Sequence, residues 1–405
     1  MEMKNGSQVL DKNFVSWPSN QRLDVGDLLT TEQRRQTNLI LSCGVSTPVA
    51  LIGFLGNLAN LVILAKQGLG DSVNISLAAL ALGDLAYVII VLSFSLMCFS
   101  PDTDPVVQNN KGQQYVPQAA MLRIAVARIS SGIMALIAAE RCLCVMVPLK
   151  VKRLVTFRCT TVAVIAIYIA VLVLFVPVLM MLEVKWFPAD GNRTVALAVP
   201  TEFYIRNEHF LSTFSDLVIS VVLPLSQISL VIVCTLLTVV RLKASSFWRQ
   251  SMSQANAVSS RFRPAAQEEL PSTDCQGSRG KNSRQVIVDE KTSKLSKLLI
   301  TIAVIYIVCS TPGVIATLVR LFIPEFNLNR QYSNMFYVVY EVDFAFQTFN
   351  ASITFFVYMI MSERFRSIFV SMVPLRCLCK RTDVHQSHEK PWKWQDTQMT
   401  SFTSE

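Results

Sequence analysis

Charged residues interrupt the apolar runs of this sequence, and one run carries three arginines. Arg123, Arg128 and the pair Glu140-Arg141 all lie between residues 117 and 147. A charge at the centre of a bilayer costs about 2.5–3.5 kcal/mol even on lenient insertion scales. A carboxylate beside a guanidinium is what a charge-assisted pair requires. Glu140 and Arg141 are therefore either an ordinary ion pair at a helix end or a pair that does work there.

Helical geometry aligns the polar residues of this run. Arg123 and Arg141 are eighteen residues apart, which is five full turns, so they share one helix face and lie about 27 Å apart. Ser130 falls within about 20–30° of the same line. Lipid cannot solvate such a stripe, so we expect it to point into a helix bundle.

Asp84 is the acidic residue of another apolar run, ISLAALALGDLAYVII. A carboxylate in a membrane needs a partner, and Asn57, Ser130 and Asn350 are candidates. Because hydroxyl and amide oxygens suit a hard cation, Asp84, Ser130 and Asn350 are a candidate sodium site. The alternative is a protonated or hydrogen-bonded structural aspartate. We expect no cofactor besides such an ion.

Composition places the chain among polytopic membrane proteins. Of its 405 residues, 52% are hydrophobic and only 16% are charged, whereas soluble proteins carry about 25% charged residues. The three histidines lie outside the apolar runs, and the sequence has no nucleophile elbow or phosphate loop. The pairs Cys142-x-Cys144 and Cys377-x-Cys379 are thin support for a metal site. We therefore expect neither an enzyme nor a nucleic-acid-binding protein.

A membrane-crossing helix needs about 20 mostly apolar residues, and such runs predict an all-α bundle of seven spans. The predicted organisation is an extracellular tail over 1–37, a seven-helix domain over 38–361 with a disordered cytoplasmic loop at 244–293, an amphipathic helix over 362–375, and a cytoplasmic tail over 376–405. The seven runs lie near residues 38–66, 73–99, 117–147, 159–183, 210–241, 294–323 and 332–361.

Lys and Arg predict the orientation, because cytoplasmic loops carry an excess of both. The loop after the third span, the segment 241–297 and the start of the tail are rich in Lys and Arg, whereas loops 100–115 and 183–209 are poor. The amino terminus is thus predicted to be outside a plasma membrane and the carboxyl terminus inside. The sequons at Asn5 and Asn192 would then be available for glycosylation. Cys377 and Cys379 follow an amphipathic segment and are either palmitoylated or free thiols.

Together these features resemble a rhodopsin-like (class A) G-protein-coupled receptor over about residues 38–375. The order and spacing of several short motifs carry the resemblance. They are Gly56-Asn57, Leu80 to Asp84, Glu140-Arg141-Cys142 with Pro148-Leu149, Pro224, Cys309 to Pro312, and Thr354 to Tyr358 followed by Arg364-Phe365-Arg366.

The resemblance implies roles for these residues. Glu140 would hold Arg141 at rest and release it toward a heterotrimeric G protein, which Leu149 would also contact. The Ser- and Thr-bearing tail would accept phosphates from a receptor kinase and recruit arrestin, although such tails are more often plain disordered sequence. The residues matching the family's activation switch are Pro224, Ser310, Pro312 and Tyr358.

The matching ligand position holds Arg123, and like charges would repel a cationic amine there. We expect Arg123, with Arg128, to bind a carboxylate or another anionic group of an extracellular ligand. Glu341 and Asp343 of the seventh span and Arg320 at the end of the sixth complete the candidate site. The alternative is that Arg123 pairs internally with Glu341 or Asp343.

The sequence departs from the family pattern at several positions, and these departures bear on which kind of receptor within the family it resembles. The usual outer disulfide is missing, and whether Cys43 pairs with Cys98 stays open. Ser310 replaces a tryptophan, and Thr354-Phe355 replaces Asn-Pro. The chain resembles divergent invertebrate chemosensory receptors or neuropeptide receptors of the FMRFamide-receptor type. The missing disulfide favours a chemosensory role, because a peptide receptor more often keeps it. A transporter or channel is the rival class, but the two halves show no internal repeat.

Overall fold

The computed structural model describes residues 26–98, 105–147, 151, 155–189, 193–261, 276–327 and 330–372. In this part of the chain, seven helices are long and apolar enough to cross a bilayer, which confirms the predicted bundle. The helices are α1 Thr31–Gln67, α2 Ser72–Cys98, α3 Pro105–Met146, α4 Phe157–Leu179, α5 over residues 208–261, α6 Gln276–Phe322 and α7 Ser333–Met361, followed by the short helix α8 Glu363–Met372.

The bundle has two ends, which we name by the chain segments found there. The N-face holds the start of α1 and the end of α2, and the C-face holds the end of α1 and the short helix α8. On the C-face, Arg364 of α8 donates a hydrogen bond to the carbonyl of Gln67 at 3.2 Å. Phe365 is buried and packs against Tyr358 of α7, with ring centroids 5.3 Å apart. The predicted amphipathic helix is therefore present and anchored through its apolar side.

A β-hairpin connects α4 to the region before α5. Strand β1, Leu182–Ala189, pairs antiparallel with β2, Arg193–Pro200. Ala196 and Ala198 of β2 are buried, so one side of the hairpin packs on the bundle. On the hairpin's surface, Lys185 lies 2.8 Å from Glu183, and this hydrogen bond raises the pKa of Lys185 above its ordinary value.

Hydrogen bonds from side chains to backbone carbonyls join the helices. Asn57 of α1 donates to the carbonyl of Ala351 in α7 at 2.7 Å. Tyr168 of α4 donates to the carbonyl of Ala79 in α2 at 2.8 Å. Because lipid gives helices little hydrophobic reason to associate, such bonds and close packing hold a membrane bundle together.

Small residues allow the closest helix contacts. A Cβ atom on Gly132 of α3 would lie 2.9 Å from Ile167 of α4, and one on Gly53 of α1 would collide with Ser352 of α7. Both glycines therefore let two backbones approach to a distance that any side chain would prevent.

Two π-helical segments, Leu39–Ser46 in α1 and Phe214–Val222 in α5, lie at the N-face. Each ends two residues before a proline, Pro48 or Pro224. Proline has no amide hydrogen, and its ring clashes with the carbonyl four residues earlier. A π turn accommodates that loss, and such turns are frequent at functional sites.

The first helix begins earlier than the sequence predicts. Residues 31–37, expected to be part of a tail, are helical, because Thr30 and Gln33 form a reciprocal capping box. The side chain of Gln33 accepts from the Thr30 amide at 2.9 Å, and the Thr30 hydroxyl accepts from the Gln33 amide at 3.2 Å. A cap of this kind stabilises even a polar first turn.

The segment 244–293 also differs from the prediction of a disordered loop. Residues 244–261 continue α5, and residues 276–293 form the first part of α6. Both stretches extend an apolar span, and adding residues to an existing helix is easier than nucleating a new one.

A strap of residues 26–30 ties the chain to the start of α7. Asp27 accepts a hydrogen bond from the Asn334 amide at 2.6 Å, and the carbonyl of Leu29 accepts from the Asn334 side chain at 3.0 Å. Arg34 stacks over the ring of Tyr337 at 4.4 Å. The N-terminal turn of α1 is thus held against α7.

A disulfide between Cys43 and Cys98 links α1 to α2, with Cα atoms 6.0 Å apart. The open question of their pairing is thus answered. The bond joins the π segment of α1 to the last residue of α2, so it braces the N-face without involving α3 or the hairpin.

Replacing Cys43 and Cys98 with serine should lower the melting temperature of the purified protein. Losing a cross-link over this separation costs about 2–4 kcal/mol. The exposed free cysteine Cys159 provides the control, since Cys159→Ser should leave the melting temperature unchanged. Peptide mapping without reductant should recover the two cysteines in one linked pair, and recovery of both as free thiols would contradict the bond.

Candidate functional site

A cavity of about 560 Å³ opens at the N-face and reaches into the middle of the bundle. All seven spans line the cavity, and α4 contributes only Phe175 and Val178. Both π segments contribute to its rim, with Ser42 and Cys43 on one side and Asp216 on the other. Its volume lies in the usual range for small-molecule sites, about 300–1,000 Å³.

Arg123 occupies the wall of this cavity and is held by aromatic rings. Its guanidinium lies 3.5 Å from the ring centroid of Phe344 on α7 and 5.1 Å from that of Phe94 on α2. Among the described residues, Arg123 forms no ion pair, and its buried Nε has no hydrogen-bond partner. The alternative in which Arg123 pairs with Glu341 or Asp343 is therefore wrong for this structure.

Asp343 lies on α7, and its side chain packs against α6. Its carboxylate accepts a hydrogen bond from Gln347 at 2.5 Å, while Oδ1 is buried without a partner among the described residues. A Cβ atom on Gly313 of α6 would lie 2.5 Å from Oδ1. Glycine at position 313 is therefore what allows this carboxylate to sit against α6.

The other charged residues predicted for the ligand site already have partners or lie deeper. Arg320 forms an ion pair with Asp216 of the α5 π segment, so it joins α5 to α6 instead of facing the cavity with a free charge. Ser42 of α1 donates to Glu341 at 3.0 Å. Arg128 lines the cavity, and its carbonyl accepts from Gln227 at 3.0 Å.

The floor of the cavity holds the three residues predicted as a sodium site. Asp84, Ser130 and Asn350 all line it, and Asp84 is only 2% exposed. The Ser130 hydroxyl is buried without a hydrogen-bond partner in the described part of the chain. A carboxylate, an orphaned hydroxyl and an amide oxygen are the donor types that a small hard cation prefers, so these residues fit such an ion.

The predicted switch residues are distributed between floor and core. Pro224 and Ser310 line the cavity, whereas Pro312 lies inside α6. Tyr358 is buried near the C-face, and its hydroxyl has no partner in the described part of the chain.

At the C-face, Glu140 is held by hydroxyl groups and not by Arg141. Thr160 of α4 donates to its carboxylate at 2.6 Å and Ser76 of α2 at 3.1 Å. Arg141 points instead into a small cleft between α3, α5 and α6, beside Thr238, and its Nε has no partner among the described residues. The predicted Glu140–Arg141 pair is not formed in the described part of the chain, because the Glu140 carboxylate binds hydroxyl groups of α2 and α4 whereas Arg141 faces α5 and α6.

Several functional neighbours escaped prediction from the sequence. Phe94 and Phe344 stack on Arg123, Gln347 binds Asp343, and Thr160 binds Glu140. The one usable signal was spacing, since Gln347 follows Asp343 by one helical turn. Some predicted sites lie outside the described residues, namely Leu149, Asn5, Asn192, Cys377 and Cys379.

Comparison with known families adds one finding. The sequence model of the family described as 7 transmembrane receptor (rhodopsin family) matches residues 56–353, more than half of the chain. The matched stretch contains Arg123, Arg141, Asp84 and Asp343. No individual curated protein matches the chain significantly.

Replacing Thr160 with valine should destabilise the bundle, because valine keeps the shape of threonine but removes a hydrogen bond to the buried Glu140 carboxylate. Hydrogen bonds to charged groups are worth about 1.5–3 kcal/mol. The neighbouring Thr161 is a matched control, since it is only partly buried and its hydroxyl donates to the carbonyl of Phe157 in its own helix at 2.8 Å. Thermal unfolding should show a clear fall in melting temperature for Thr160→Val and little change for Thr161→Val; equal falls would argue against the Glu140 contact.

Proposed function

Because the chain belongs to the rhodopsin family of seven-transmembrane receptors, we propose that it binds a ligand in the N-face cavity and activates a heterotrimeric G protein at the C-face. One observation carries this proposal. The helix that places an unpaired guanidinium, Arg123, in the cavity also places Arg141 at the opposite end of the bundle. The two lie about 27 Å apart along α3.

The proposed orientation puts the N-face outside the cell and the C-face in the cytoplasm of a plasma-membrane receptor. Cationic residues support it, because they gather around the C-face ends of the helices as the positive-inside rule requires. They include Arg158 in the first turn of α4, Arg241 and Lys243 on α5, Lys297 on α6, and Arg364 and Arg366 on α8.

The proposed ligand is a small molecule with an anionic group, sensed as a chemical cue. Arg123 supplies the cation, and its aromatic stack holds the guanidinium in one place before the ligand arrives. Arg128, deeper on the same helix, adds a second positive charge to the cavity. A cavity of about 560 Å³ suits a small ligand better than a peptide of several residues.

We further propose that a sodium ion binds at Asp84, Ser130 and Asn350. The ion would neutralise Asp84, which otherwise lies in a bundle interior without a cationic partner among the described residues. Asp84 would supply the charge, while Ser130 and Asn350 would supply neutral oxygens.

Arg123→Gln should abolish or weaken activation by anionic ligands at least tenfold, since a hydrogen bond to a charged group is worth about 1.5–3 kcal/mol and 1.4 kcal/mol is a factor of ten. The measurement is G-protein activation in cells challenged with a panel of small carboxylates, sulfonates and phosphates. Arg206→Gln is the control, because Arg206 is exposed and pairs only with Glu202. Arg123→Gln should still reach the cell surface, and its retention inside the cell would indicate a structural role instead.

Arg141→Ala should abolish nucleotide exchange on a purified G protein while ligand binding at the N-face persists. The reason is distance, because Arg141 lies too far from the cavity to contact the ligand. Arg206→Ala again serves as the control. Ligand-driven flux across proteoliposomes, without nucleotide exchange, would contradict the receptor and favour a transporter.

A further inference from the structure

The N-face cavity contains unpaired charges of both signs. Asp343 is only 4% exposed, and its Oδ1 has no partner among the described residues. Arg123 forms no ion pair in the same part of the chain, and its Nε is equally unpartnered. A buried charge without an ion-pair partner costs several kcal/mol, so each of these two groups lowers the stability of the bundle.

Two aromatic rings pack on the Arg123 guanidinium. It lies over Phe344, the residue that follows Asp343 on α7, and near Phe94 of α2. Successive helical residues point about 100° apart, so Phe344 and Asp343 face different directions from one helix. A desolvated cation–π contact is worth about 2 kcal/mol or more, and it stabilises the guanidinium in a position where it forms no ion pair with Asp343 among the described residues.

Asp343 is also fixed in place, which a ligand-binding group requires. Gln347 donates to one oxygen at 2.5 Å, one turn along α7. The other oxygen rests against Gly313 of α6, where any side chain would displace it. The carboxylate is therefore fixed between α6 and α7, with Oδ1 buried against Gly313 and the other oxygen bonded to Gln347.

The remaining charges of the cavity differ in their relation to Asp343. Arg320 forms an ion pair with Asp216, and Glu341 accepts a hydrogen bond from Ser42. Arg128 forms no ion pair in the described part of the chain, but its positive charge acts on the Asp343 carboxylate, as that of Arg123 does. The cavity thus holds one carboxylate, Asp343, and two guanidinium groups, Arg123 and Arg128, without an ion-pair partner among the described residues.

We propose that the ligand is a small zwitterion, whose anionic group binds Arg123 and whose cationic group binds Asp343. This inference rests on the proposed function and narrows its ligand class. A purely anionic ligand would leave the Asp343 carboxylate unpaired, and a purely cationic ligand would be repelled by the positive charge of Arg123. A molecule with both groups satisfies both walls, and the pairs strengthen in a cavity that excludes water.

The test uses matched compounds on the purified full-length receptor. The probes are the twenty L-α-amino acids with 4-aminobutanoate and 6-aminohexanoate, which vary the distance between the charges. Each is paired with its amide, which lacks the anionic group, and its N-acetyl derivative, which lacks the cationic group. Melting temperature reports binding, and nucleotide exchange on a G protein reports activation.

We expect at least one zwitterion to raise the melting temperature and to bind at least tenfold more tightly than its amide and its N-acetyl derivative. Asp343→Asn should remove the preference over the N-acetyl derivative while keeping the preference over the amide. Arg123→Gln should do the reverse, and Arg206→Gln should change neither. This crossed pattern distinguishes two binding contacts from a general loss of folding.

Other results overturn the inference in distinguishable ways. An N-acetyl derivative that binds as tightly as its parent, in an Arg123-dependent manner, would reject the zwitterion and leave the anionic ligand of the proposed function standing. Binding of zwitterions without any nucleotide exchange would support the site but reject the receptor function. No binding by any member of the panel would reject this ligand class.

Discussion

Inside a bilayer, a polar or charged group has no water to bind, so it must find its partner within the protein. This constraint explains much of the structure. Tyr168 and Asn57 donate to backbone carbonyls of neighbouring helices, and Glu140 draws hydroxyl groups from α2 and α4. Buried polar atoms without a hydrogen-bond partner lower stability. Among the described residues, three of them belong to residues that line the N-face cavity, Arg123, Ser130 and Asp343, where a bound molecule or ion can complete them, whereas those of Asn60, Gln118, Arg141, Gln227, Ser333 and Tyr358 lie outside it.

The rim of the N-face is fastened at two places. The Cys43–Cys98 bond fixes the π segment of α1 to α2. Arg320 and Asp216 join the π segment of α5 to α6 on the other side. The covalent brace of the described residues thus lies between α1 and α2 and involves neither α3 nor the hairpin β1–β2.

Hydropathy was enough to predict the seven spans, because length and apolar content decide what can cross a bilayer, whereas α8 was predicted from its amphipathic pattern. It missed the polar turn that begins at Thr31, since that turn is stabilised by the capping box of Thr30 and Gln33 and not by burial. Periodicity placed Arg123 and Arg141 on one inward face of α3, but it did not identify their partners. The rings of Phe94 and Phe344 reach Arg123 from α2 and α7, and such contacts depend on how three helices pack. Adjacency in sequence suggested a Glu140–Arg141 pair, whereas in the folded bundle the hydroxyl groups of Thr160 and Ser76, from neighbouring helices, bind the Glu140 carboxylate.

The separation of Glu140 from Arg141 changes what must happen for a signal to cross the bundle. If the two residues formed an ion pair, activation would have to break it. Here Glu140 ties α3 to α2 and α4, while Arg141 rests in a cleft beside Thr235, Thr238 and Leu299. The Glu140 contacts fasten α3 to α2 and α4, and the Gln227 side chain fastens α5 to α3 by donating to the carbonyl of Arg128. Pro312 removes a hydrogen bond from α6 one residue before Gly313, against which the Asp343 carboxylate rests. Because Arg141 forms no ion pair with Glu140, no such pair has to be broken before its guanidinium can reach a partner at the C-face.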